Sequence, residues 1–168
     1  ARPLADDHDP EVRWGVAEFV AAEEMDRYRG YWWSPDGSSV LAARVDDAPV
    51  QRWWIADPAR PSVPPTEVAY PAAGTANSDV SAWLLTLAGD RTELTWDRAA
   101  WPYLVHAAWD DHGPMITVET RDQRAIEVRA VDPSDGSTTV LWSDSDLAWV
   151  ERSSGTPAPQ VTDSPKAR

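Results

Sequence analysis

Cysteine is absent from this 168-residue chain, which excludes disulfide frameworks, thiolate nucleophiles and cysteine-ligated zinc together. Lysine is nearly absent: fourteen of the 15 basic residues are arginines. Basic residues are also too few to balance 28 acids, and the net charge of -13 opposes any partner whose affinity comes from neutralising phosphates. Nucleic acid and anionic membrane surfaces are therefore not expected as partners. No apolar run approaches the ~20 residues of a membrane-spanning helix. The opening ARPLADDHDP has neither a cationic start with an apolar stretch nor a small-residue cleavage site, so no secretory signal is read and a cytoplasmic location is expected. The chain also starts without methionine, as a processed chain or a piece of a longer one would. Signatures of catalysis are missing too. There is no G-x-S-x-G, no H-E-x-x-H and no glycine-rich phosphate loop, so no catalytic residue, cofactor or metal is expected in this chain.

What is present describes a single globular domain, on the prior of roughly 100–200 residues per domain. Hydrophobic residues make up 42%, charged residues 26%, and the mean hydropathy is -0.49, outside the disordered and membrane classes. Helical patterning is scarce, and one short helix is expected, near Glu23-Glu24. The best candidate opens at Asp9-Pro10-Glu11, a capping residue with proline at the first helical position, and is expected to run to Glu24 or Arg27. Beyond it, short apolar runs dominate: residues 39–45, 51–55, 80–87, 92–96, 103–109, 115–120, 126–131 and 138–142. Turn chemistry separates several of them, as in Ser34-Pro35-Asp36-Gly37 and Gly89-Asp90, which points to an all-β sandwich, barrel or propeller.

Repetition selects the propeller. Residues 31–47 (YWWSPDGSSVLAARVDD) and 106–122 (HAAWDDHGPMITVETRD) share a tryptophan, a polar turn closing on glycine four residues later, and a strand ending in aspartate. After the second, AIEVRAVDPSDGSTTVLW supplies two more strands, completing a meander of blade size, roughly 40–45 residues. The chain divides on this reading into a first blade over residues 11–97 with an insertion at 57–79, a second over 98–146, and the start of a third with a disordered tail over 147–168. A propeller closes with roughly four to eight blades. The chain is thus expected to be a fragment of a β-propeller, about two blades and part of a third. Its exposed blade edges predict association with copies of itself or with the rest of its parent.

Three clusters could carry chemistry. Asp6-Asp7-His8-Asp9 and Asp110-Asp111-His112 contain metal-ligand types, but neighbours on one turn lack the separation of a closed site, and they read as solvated turns. The 11 tryptophans could form a stacking platform for sugars, yet most fall on strands or before turns, where core packing explains them better. The third cluster is Glu23-Glu24. Adjacent acids are most often a solvated helix face; held rigidly, two carboxylates can instead grip one ammonium group through charge-assisted hydrogen bonds.

The residues around this pair decide between those readings. WGVAEFVAAEEMDRYRGYWWSPDG, residues 14–37, resembles the double-glutamate region in the propeller domain of the dipeptidyl peptidase IV family, with EE, DRY and GYWW in series. Further on, Tyr70-Pro71-Ala72-Ala73-Gly74-Thr75-Ala76-Asn77 is similar to the family's Y-P-x-A-G-x-x-N segment. The resemblance extends from Trp14 to about Val150, strongest up to Asn77. It implies part of an eight-bladed propeller from a serine peptidase of the prolyl oligopeptidase clan, which removes N-terminal dipeptides with proline or alanine second. It also implies that Glu23 and Glu24 hold the substrate's α-amino group, with Asp26, Arg27 and Tyr28 in support, Arg27 pairing with a neighbouring acid. The resemblance further implies that the catalytic serine, aspartate and histidine lie in an α/β-hydrolase domain outside this chain, and that the family's propeller arginine, which helps bind the substrate carbonyl, lies outside it too. The chain would then bind one end of a peptide and cleave nothing alone. Two alternatives stay open at this point: a stand-alone acidic, tryptophan-rich β module for protein or sugar binding, and a piece of a relative that has lost catalysis.

Overall fold

The computed structural model describes residues 3–152. Two antiparallel sheets pack face to face. The first holds β1 (Val12–Trp14), β2 (Tyr31–Trp33), β3 (Ser39–Asp46), β6 (Asp79–Thr86) and β7 (Arg91–Glu93). A separate hairpin, β4 (Arg52–Ile55) with β5 (Thr66–Ala69), leaves between β3 and β6. The second sheet is an unbroken meander of β8 (Tyr103–Asp110), β9 (Gly113–Glu119), β10 (Ala125–Val131) and β11 (Thr138–Ser145). This is the all-β architecture of a propeller fragment. The two similar sequence segments become equivalent hairpins, β2–β3 and β8–β9, at the start of each sheet.

Alternation sorts the strand residues between two faces. Leu41, Ala43 and Val45 of β3, with Val80, Ala82 and Leu84 of β6, face the second sheet and meet Leu104, Ala107, Ile116 and Val118. Their other-face neighbours Val40, Ala42 and Leu85 pack with Trp14, Trp83 and Leu4. The sheets are also stitched by the backbone. Thr95 N–H donates to the Gly136 carbonyl (2.8 Å), and the Trp109 Nε1–H donates to the Trp32 carbonyl (3.1 Å).

The short helix expected near Glu23-Glu24 is formed, but it begins at Phe19 and not at Asp9-Pro10. Asp9 caps a turn: its carboxylate accepts from the Glu11 N–H (2.9 Å) and its carbonyl from Val12 (3.0 Å). Asp-Pro starts turns as readily as helices, and Val12–Trp14 then pairs with residues 44–46 of β3. Only the six residues of α1 (Phe19–Glu24) are helical. Strand β5, absent from the sequence reading, lies in its proline-rich insertion.

The tryptophans divide. Trp32 is buried, and Trp14, Trp83, Trp96, Trp101 and Trp109 pack against the cores, whereas Trp33, Trp53, Trp54, Trp142 and Trp149 are exposed. Trp142 lies on the last strand, β11, most of which is exposed. Residues 147–152 form no strand; they return to the β9–β10 turn, where Val150 N–H donates to the Gln123 carbonyl (2.8 Å). The remainder of the expected third blade and tail, residues 153–168, lies outside the described residues. Among the described residues no helix is long and apolar enough to cross a membrane.

Candidate functional site

Strands β1 and β2 lie on the same edge of β3, and the chain leaves that edge between them. Val12–Trp14 pairs with residues 44–46 and Tyr31–Trp33 with residues 40–42. Ala43, between them, closes the gap: its carbonyl accepts from Gly15 N–H (2.9 Å) and its own N–H donates to the Gly30 carbonyl (2.7 Å). Gly30 N–H in turn donates to Gly15 (3.0 Å). Residues 15–30 are therefore a loop with a pinched neck, and α1 is its tip. Glycine is required at the neck, since a Cβ on Gly30 would overlap the backbone of Val16.

A six-residue helix is far too short to persist alone, and this one is held at both ends. Glu18, which precedes it, and Arg27, which follows it, form a buried ion pair (Nη2 to Oε2, 2.7 Å), each side chain 3% exposed. Glu18 is thereby drawn off the helix N-terminus, where it caps no N–H. At the other end the Ala21 carbonyl accepts from both Met25 (3.2 Å) and Arg27 (3.1 Å), and the chain reverses with Asp26 at φ 51, a conformation aspartate tolerates better than most residues. The guanidinium of Arg27 also donates to the Arg29 carbonyl (3.2 Å) and lies 6.0 Å from the centre of the Trp32 ring. Burial pulls Arg27 below its ordinary pKa, and the Glu18 carboxylate opposes that pull.

The second motif meets the first. Phe19 of α1 packs edge-on against Tyr70 (centroids 5.1 Å apart), which also contacts Trp53 of β4 (4.6 Å). At the motif's far end Asn77 Nδ2 donates to the Tyr103 hydroxyl on β8 (3.1 Å). The helix is thus braced by the insertion on one flank and the second sheet on the other.

Of the residues singled out from the sequence, Glu23 and Glu24 are exposed at the end of α1. Glu24, Asp26, Arg27 and Tyr28 line an open cleft of about 890 Å³. Asp26 and Tyr28 are exposed and have no hydrogen-bonding side-chain partner among the described residues, so Arg27 alone of the DRY series is built into the support. The cleft also takes in Trp32, Val105 and His106, and Arg152 from the returning segment. His106 meets Trp32 edge-on (5.7 Å); burial first, then Arg27 and Arg29, hold its pKa below the ordinary imidazole value. Opposite, Glu119 of β9 is fully buried and accepts from Arg152 Nη1 (2.6 Å), while Arg152 Nη2 donates to the Glu24 carbonyl. Burial raises the Glu119 pKa, with Arg152 working against it. Among the described residues the lining contains both signs of charge, one histidine and no serine or threonine. His8, His112 and their aspartates stay in separate turns, and no group of three metal-ligating side chains forms among the described residues.

Glu18, His106, Glu119 and Arg152 were not singled out in the sequence. Two of them leave a trace there: Glu18 and Arg27 bracket the helix with opposite charges, and Glu119 sits in register with Met115 and Thr117 on alternating positions of a buried strand.

A family model described as the dipeptidyl peptidase IV (DPP IV) N-terminal region matches residues 1–164. The chain belongs to this family. Dipeptidyl peptidase 8 of Homo sapiens is 34% identical to it over 76 residues, 40% of this chain and 8% of that protein, and the Mus musculus protein matches to the same extent. The solved Porphyromonas gingivalis dipeptidyl peptidase 4 superposes with a TM-score of 0.79 at 21% identity, over 87% of this chain and 22% of that one. A Bacteroides ovatus protein assigned as a dipeptidyl aminopeptidase IV gives 0.77 at 21% identity, over 88% and 21%. The likeness to the solved structures establishes the fold, that of the dipeptidyl peptidase IV propeller region. The chain spans 8% of the length of the curated relatives it matches.

Proposed function

We propose that this chain is the substrate-recognition part of a dipeptidyl peptidase, a serine exopeptidase that releases N-terminal dipeptides, and that Glu23 and Glu24 bind the peptide's α-amino group. The observation that carries the reading is the mounting of the pair: two adjacent carboxylates at the end of a short helix that a buried ion pair clamps from behind. The pair stands at the C-terminal end of α1, the negative end of a helix. An ammonium has three N–H donors and can satisfy both acids at once.

Pinning the amine would set the distance from the peptide's end to the reacting bond, so the second peptide bond is the one presented. Such orientation lowers the barrier by fixing geometry before reaction. The hydrolytic serine, aspartate and histidine would come from an α/β-hydrolase domain of the same parent chain, which is the partner this reading requires. A preference for proline or alanine in the second position would be set there. Exposed apolar side chains on β11, Val140, Leu141 and Trp142, are surfaces for further blades or for a second copy.

The test is substitution of each glutamate in the full-length enzyme. Glu23→Ala and Glu24→Ala should each lower kcat/KM on a dipeptidyl arylamide by about a hundredfold, chiefly through turnover. Full activity in both variants refutes the assignment.

A further inference from the structure

The double glutamate is held from a second direction, by the neighbouring sheet. Arg152 reaches across the cleft with its two terminal nitrogens on different acceptors: Nη1 on Glu119 Oε2 (2.6 Å) and Nη2 on the main-chain carbonyl of Glu24. Glu119 is completely buried on β9, in the middle of a sheet paired on both sides with β8 and β10. Its other oxygen, Oε1, has no partner among the described residues. A buried carboxylate with one free oxygen is costly to keep, and the fold retains it where it anchors a guanidinium. The planar fork of arginine transmits that anchoring, because donors fixed relative to one another cannot adjust independently. The Glu24 carbonyl is at the C-terminal end of α1, where a carbonyl has no helical partner of its own.

We infer that Arg152 is a positioning residue for substrate recognition: it ties the backbone of Glu24 to buried Glu119, so that the second sheet sets where the carboxylate pair stands. Glu18 and Arg27 fix the shape of the loop, and Arg152 fixes its place over the cleft. Arg152 itself touches no substrate in this role. The inference rests on the amine-binding reading of Glu23 and Glu24.

The experiment compares, in the full-length enzyme, a glycyl-prolyl arylamide with acetyl-prolyl arylamide, which differs only by lacking the amine. The readout is the ratio of the two kcat/KM values, which a general loss of folded enzyme leaves unchanged. Arg152→Met alone strands the Glu119 charge and risks unfolding, so the decisive variant is the double replacement Glu119→Gln with Arg152→Met, which removes the buried charge and the tie together. Its thermal midpoint is measured alongside. The expected result is a folded enzyme whose amine-dependent ratio falls by roughly ten- to a hundredfold, the scale of small misplacements. A wild-type ratio in the folded double variant overturns the inference. If Glu23→Ala and Glu24→Ala reduce the ratio while the double variant does not, the tie alone fails; if the glutamate variants also keep the wild-type ratio, the amine-binding reading fails and this inference with it.

Discussion

The two sheets are built on one plan and used differently. In the second sheet, β8 to β11 follow one another through short turns with no interruption. In the first, the equivalent of β8 is cut in two, β1 and β2, and the excursion between them carries α1; a second excursion between β3 and β6 carries the β4–β5 hairpin. Both interruptions meet, at Phe19 and Tyr70. The comparison teaches that the residues proposed for recognition come from breaks in a regular sheet, and the unbroken sheet supplies the backing, in Tyr103, His106 and Glu119. A break is tolerated because its neck is hydrogen-bonded as a strand would be: Ala43 keeps both of its backbone partners, so neither of its main-chain polar groups is orphaned.

The contrast can be broken most severely at the clamp. Arg27→Ala leaves Glu18 buried and unpaired, a change that costs about 3–5 kcal/mol. Urea unfolding should show that loss, and the paired replacement Glu18→Gln with Arg27→Met should recover most of it; equal destabilisation by both would show that packing matters more than charge.

A smaller effect is expected at the neck. Gly30→Ala forces a Cβ into the backbone of Val16, overpacking worth about 1–3 kcal/mol. Gly37, in the ordinary β2–β3 turn, has open space around it and only a left-handed backbone (φ +70), so Gly37→Ala should cost about 1 kcal/mol. Chemical denaturation of the two variants ranks the interrupted edge against the plain turn, and the reverse order would contradict the role given to the neck.

The smallest effect concerns pH. The folded chain holds His106 below its ordinary pKa, so as pH falls through about 6.5 the unfolded state takes up a proton first. Stability contributed by neutral His106 is present above that pH and declines below it, until the folded state also protonates. His106→Gln should flatten that part of the stability-against-pH curve, measured by urea unfolding at pH 8, 6.5 and 5, and leave the alkaline side unchanged. An identical acid limb in the variant would assign it to other groups.

How much of this was legible depends on the range of the interactions. Strands β3, β6, β8, β9, β10 and β11 sit within a few residues of the apolar runs that mark them, because alternation is local; all but the exposed β11 have a buried face. Strands β1 and β2, three residues each, are too short to show a period, and Asp9-Pro10 offered a helix start that β3 overrode by pairing with Val12–Trp14. Exposure of Trp53 and Trp54 was equally hidden, since a tryptophan in a strand does not say whether another layer covers it.

By itself the sequence determined the all-β propeller character, through periodicity and turn residues, and the family, through EE-x-DRY and the Y-P-x-A-G-x-x-N segment matched in order. It named Glu23, Glu24 and Arg27 as neighbours along the chain. The tertiary structure decided what stands behind them: Glu18 opposite Arg27, Phe19 on Tyr70, and Glu119 reaching Glu24 through Arg152. Those contacts join residues nine to 128 positions apart. Local pattern reports which face a residue is on, and only the packed sheets bring two such faces together.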